Sequence, residues 1–176
     1  MIIKIIAGVV TVLIVGVLIF ASTKPDTFRV KRTARIKAPP EKIYALIEDF
    51  HQWISWSPYE NRDPAMKKTY SGAPLGKGAV YAWDGNKDAG AGRIEITDVT
   101  VPTKVTMLLE FTRPFATHNI VDFTIMPDGE ATEVSWDMHG PAPFLSKLMQ
   151  VFFNMDKMVG KDFEDGLAAM RTVAER

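Results

Sequence analysis

The chain opens on a run without alternation. From Ile5 to Thr23 every residue is uncharged, and most are Ile, Val, Leu, Ala or Gly. As a helix, about 19–20 such residues rise roughly 30 Å, the thickness of bilayer hydrocarbon. No polar face interrupts the run, which argues against a buried core helix. The competing reading is a cleaved signal peptide, but Ile19-Phe20-Ala21-Ser22-Thr23 has no convincing A-x-A site. The expectation is a single-pass transmembrane anchor over residues 1–24 and one domain over residues 25–176. Only Lys4 precedes the span, whereas Lys24, Arg29, Lys31, Arg32, Arg35 and Lys37 follow it. By the positive-inside rule the domain then faces the cytoplasm.

Beyond the anchor the period changes to two. Phe28, Val30, Ala34 and Ile36 share one strand face, opposite Arg29, Lys31, Thr33, Arg35 and Lys37. Arg32 interrupts the apolar face, either as a snorkelling or strand-edge arginine or as a polar anchor inside a pocket. Over Ala38–Pro58 the pattern becomes helical: Ile43, Leu46, Ile47 and Phe50 recur at i, i+3, i+4 and i+7. Trp53 and Trp56 follow directly, and such a pair either closes a small core or lines a cavity.

Short strands are expected at Lys67–Ser71 and Ala79–Asp84, separated by Gly72, Pro74, Gly76 and Gly78. Another follows at Arg93–Val101. Val105, Met107, Leu109 and Phe111 share the next strand's inner phase, and Pro114 ends it. Val121, Phe123 and Ile125 do the same in His118–Met126, and Val134, Trp136 and Met138 in Thr132–His139. Asp128-Gly129 between these last two is a hairpin signal. Pro141 and Pro143 stop the sheet. Phe144, Leu148, Phe152, Met155, Val159, Phe163, Leu167 and Met170 then step by three or four, the stripe of one long helix. Strand, two short helices, about six strands and a long helix make an α+β domain with an antiparallel sheet.

Composition narrows the chemistry. The 176 residues carry 21 basic and 21 acidic side chains, so net charge is zero and nothing favours nucleic acid. The chain has no cysteine, which removes thiolate catalysis, disulfides and cysteine metal sites. His51, His118 and His139 are far apart and in no metal-ligand spacing, so neither a metal nor another cofactor is expected. No G-x-S-x-G elbow occurs. The glycine clusters lack the G-K-[ST] of a phosphate loop and suit hairpin turns instead. The nine methionines suit an irregular apolar space.

The residues R-I-K-A-P-P-E-K-I-Y (Arg35–Tyr44), D-F-H-Q-W-I-S-W-S-P (Asp49–Pro58) and Y-A-W-D-G-N (Tyr81–Asn86) resemble the START-like helix-grip superfamily. So do V-S-W-D-M-H-G (Val134–Gly140) and the closing G-L-A-A-M (Gly166–Met170). This SRPBCC grouping includes polyketide cyclase/dehydrase-like and lipid-transfer proteins, and the likeness covers almost everything after the anchor. It implies a curved antiparallel sheet gripping the long C-terminal helix, with an apolar cavity between. Trp53 and Trp56 would then sit near the mouth. Tyr81, Trp83, Met107, Leu109, Phe111, Phe123, Trp136 and Met138 would face the cavity from the sheet, and Phe144, Leu148, Phe152 and Met155 from the helix. The partner this implies is a lipid or other small hydrophobic molecule. Family enzymes place polar catalytic groups inside the cavity, and because the sequence shows no such constellation the expectation is binding without catalysis, at the membrane that holds the anchor. Two alternatives remain: a cyclase/dehydratase-like enzyme using Arg32, Asp122 or His118, and a protein-interaction module with a filled core.

Overall fold

The computed structural model describes residues 2–176. Helix α1 runs Ile2–Ser22 and is the one described helix long and apolar enough to cross a membrane. Strand β1 (Thr27–Ile36) follows, then α2 (Pro40–Glu48) and two short 3₁₀ turns at Phe50–Ser55 and Pro58–Asn61. Six strands come next: β2 Lys67–Gly72, β3 Ala79–Asp84, β4 Ala91–Thr100, β5 Lys104–Arg113, β6 Thr117–Asp128 and β7 Ala131–Pro141. Helices α3 (Phe144–Phe152) and α4 (Met155–Ala174) close the chain.

The seven strands form one sheet in the order β1-β7-β6-β5-β4-β3-β2, antiparallel throughout. Irregularities at Ala91/Gly92 and Ile96/Asp98 between β4 and β5 are of the kind that bends a strand and increases twist. Gly129, at φ +62, supplies the positive φ of the tight β6–β7 hairpin, beside Glu130 and one residue later than Asp128-Gly129 suggests. Helix α4 lies against β1 and buries Phe163, Leu167 and Met170. This is the helix-grip arrangement, with the core between the sheet and α2 plus α4.

The alternation read from β1 holds: Val30 and Ile36 are buried and Phe28 and Ala34 half-buried, while the odd-numbered residues face out. Arg32 is a strand-edge arginine, since β1 is the sheet's outer strand, and it anchors no pocket. Its Nε donates to Glu164 Oε1 at 2.7 Å and its Nη1 to Asp156 Oδ1 at 3.0 Å, fastening β1 to α4. Gly160 makes this possible, because a Cβ there would stand 1.9 Å from Arg32 Nη2.

The single long C-terminal helix is two. Phe153 is extended (φ −124, ψ 132), and the Asn154 side chain accepts from Lys157 N at 2.9 Å to cap α4. The apolar stripe runs across this break undisturbed, because the spacing of side chains records no change of axis.

Candidate functional site

The segment after α2 shows how the site is framed. Helix α2 ends with unsatisfied carbonyls, and both tryptophans satisfy them. Trp53 Nε1 donates to Ile47 O at 3.1 Å and Trp56 Nε1 to Leu46 O at 2.9 Å. Trp53 also leans on Phe50, centroids 5.0 Å apart, and Trp56 packs edge-on against Phe123 and Trp136. The pair is therefore first a helix cap with an aromatic body, and only Trp53 goes on to reach open space.

That space is a cavity of about 380 Å³. Trp53, Tyr81, Trp83, Leu109, Phe111, Trp136, Met138 and Met155 line it, as do Phe28, Tyr59, Ile94, Val121, Met149, Val159 and Phe163. Pocket volumes of this order accommodate small ligands, and aromatic walls with few polar groups suit an apolar one. Trp136 and Phe163 stack at 4.1 Å and 8°, forming a flat aromatic surface between sheet and α4.

Six residues expected around the cavity lie elsewhere. Trp56, Met107 and Phe123 are fully packed in solid core. Phe144 and Phe152 are exposed, and Leu148 is half-buried without lining the cavity. The division follows position along the strands. β5 begins at Lys104, so Met107 is near that end, while Leu109 and Phe111 approach the other. At Met107's end, Ile36, Ile96, Val105, Ile125, Leu167 and Met170 fill the interior. At the other end stand Phe28, Trp83, Phe111, Met138 and the start of α4, and there the interior is hollow. Phe144 and Phe152 are displaced because α3 no longer shares an axis with α4.

Hydrophobic pattern gave no indication of Glu60. It lies in the second 3₁₀ turn with its side chain 3% exposed, on the cavity wall. Tyr81 Oη donates to its Oε1 at 2.8 Å, and Lys68 Nζ donates to Oε2. Burial first, and then the neighbouring Glu60 carboxylate, push the Tyr81 phenol well above its ordinary pKa, so it remains a protonated donor. A buried carboxylate with two such donors meets the requirement for keeping charge out of water. Tyr59, also in the wall, is pushed upward by burial and then by Asp162. Above its ring sits Arg62, 4.8 Å from the centroid and 2.5 Å from Asp162 Oδ2. Glu60, Arg62, Asp162 and, on the β3–β4 loop, Asp88 are the ionisable acidic and basic side chains bordering a mainly apolar chamber, whose neutral polar residues are Ser57, Thr117, Asn119, Ser146 and Gln150. The only sequence signal for Glu60 is its place beside Pro58 in a segment too short to show a period.

The acid–base candidates are placed away from this chamber. Arg32 is held by α4; His118 is exposed beside Glu110; Asp122 accepts from Thr106 Oγ1 at 2.6 Å on the outer sheet face. None of them lines the cavity. Its volume likewise departs from the filled core of an interaction module.

Solved structures share this architecture at low identity. Major latex-like protein 151 from Panax ginseng superposes with a TM-score of 0.62 at 13% identity, over 86% of this chain and 100% of that one. Protein CV1439 from Chromobacterium violaceum gives 0.59 at 14%, over 86% and 99%. The Aha1 dimer from Colwellia psychrerythraea gives 0.55 at 15%, over 84% and 96%. Such similarity establishes the fold. No curated protein matches the sequence. Residues 27–175, the whole of the gripped sheet and its helices, match the model for polyketide cyclase/dehydrase and lipid transport, and the chain belongs to that family.

Proposed function

We propose that this protein is a membrane-anchored binder of a lipid or another small hydrophobic molecule, acting without catalysis. Residues 1–24 would hold it to the membrane as a single pass, and residues 25–176 would carry the ligand. The charge asymmetry around the span favours a cytoplasmic position for the domain. The observation that carries the reading is the cavity of about 380 Å³ with aromatic and aliphatic walls. Membership of a family whose description includes lipid transport supports it. A chamber next to a bilayer lets a ligand leave the membrane without exposing its chain to water, at about 0.8 kcal/mol for each CH₂ kept covered.

The test is native mass spectrometry of the full chain released from mild detergent, paired with displacement of a fluorescent fatty acid. Expected are a co-purified apolar adduct and competitive displacement. A protein that is folded, carries no adduct and displaces no probe would rule the reading out.

A further inference from the structure

Helix α3 is amphipathic in the wrong direction for a water-soluble surface. Phe144, Leu145 and Phe152 are 49, 47 and 67% exposed, and Phe153 and Met158 continue the patch across the break into α4. Its polar residues turn inward: Lys147 is buried with Nζ on Asp26, and Ser146 and Gln150 border the cavity. A patch of this kind on a folded domain marks a surface that meets something apolar.

Its location indicates what that is. Helix α1 packs against α3, and near the end of α1 Ala21 is buried and Val17 half-buried, one turn apart. The link between α1 and β1 is fastened to the entry of α3 twice, by Ala142 N donating to Asp26 O at 2.7 Å and by the Lys147–Asp26 ion pair. Val17 stands about 8 Å from the end of α1 at 1.5 Å per residue, and interfacial helices lie about 5–10 Å deep. The cavity is at this same end of the sheet, with Met149 of α3 and Phe115 of the β5–β6 hairpin in its wall.

We propose that α3 lies in the plane of the bilayer surface, its Phe144, Leu145, Phe152 and Phe153 side chains among the lipid chains, as the membrane-facing wall of the cavity. The partner is the bilayer itself, through its acyl region. This rests on the reading of α1 as a membrane anchor, and the experiment separates the two.

The absence of cysteine makes single-site labelling clean. Phe152→Cys, Val12→Cys in mid-α1 and Glu130→Cys are each coupled to an environment-sensitive fluorophore in the full chain. They are then reconstituted in phosphatidylcholine vesicles carrying quenchers at shallow or deep acyl positions. Glu130 is in the β6–β7 hairpin, at the other end of strands that run about 30 Å. Expected are deep quenching at Val12, shallow quenching with a blue-shifted emission at Phe152, and neither at Glu130. An aqueous Phe152 probe with Val12 deeply quenched refutes the docking of α3 and leaves the anchor standing. An aqueous Val12 probe overturns the anchor, and the docking with it. Equal quenching at Phe152 and Glu130 also overturns the proposal, since α3 would then have no preferred contact with lipid. Phe152 is a surface residue, so its replacement leaves the core intact, and unchanged circular dichroism verifies this.

Discussion

Val159→Phe places a larger side chain where α4 meets the cavity. Val159 is half-buried and lines the chamber, so the added ring enters space that a bound chain would use. The substitution adds about four carbons and should displace roughly three or four ligand methylenes. At about 0.8 kcal/mol per CH₂, the longest ligand that fits loses about 3 kcal/mol, roughly a hundredfold in Kd. Filling all 380 Å³ at about 24 cal/mol per Å³ gives a ceiling of about 9 kcal/mol, so the loss is about a third of what the cavity can supply. The assay is displacement of a fluorescent probe by a series of fatty acids of increasing length. In the parent, affinity rises about fourfold per carbon until the cavity is full. In the variant the same slope ends three or four carbons earlier, while thermal stability is unchanged or raised. Coincident plateaus in two equally stable proteins would show that the ligand binds somewhere other than beneath α4.

Other consequences concern the frame. Gly166→Ala should destabilise the protein by about 1–3 kcal/mol although alanine favours helix, because its Cβ would stand 2.8 Å from Trp136 Cζ3 and 3.0 Å from Pro58 Cδ; a melting temperature at or above the parent's would contradict that packing. Tyr81→Phe removes the donor to the buried Glu60 Oε1 and should cost about 1–3 kcal/mol in urea unfolding, whereas Tyr70→Phe, on a half-exposed ring, should change little. The Asp26 carboxyl is held below its ordinary value by its hydrogen bond and charge attraction to Lys147. A depressed folded value means that this contribution is complete above about pH 4 and fades as pH falls further. Hydrogen exchange at α3 should therefore quicken below that pH in the parent and show no such step in Asp26→Asn.

The legibility of this chain differs by level. Period two in the strands predicted which face turns inward, and at Val30, Ile36, Val105, Ile125 and Val134 that face is buried. The phase is local: it follows from the pleat, and no distant residue has to be known. The break between α3 and α4 had a local signal as well, an asparagine followed by Asp156 in the first turn. The apolar stripe masked it, because Phe144, Phe152 and Met155 keep helical spacing whether one axis or two carries them. Glu60 was hidden for a different reason. A buried carboxylate depends on donors from β2 and β3, and its own neighbours in sequence say nothing about them.

What the sequence determined alone was the apolar first helix, the strand faces, the α+β order and the family resemblance, each a matter of spacing within one element. Tertiary structure decided which inward-facing residues meet a ligand space and which meet one another. Met107 and Leu109 share a strand and a phase, yet the first is sealed in core and the second borders the chamber. The difference is distance along the sheet: α2 and the second half of α4 pack one end solid, while the Asn154 break turns α3 aside and leaves the other end hollow. No pattern within β5 records where a helix a few dozen residues later will change direction.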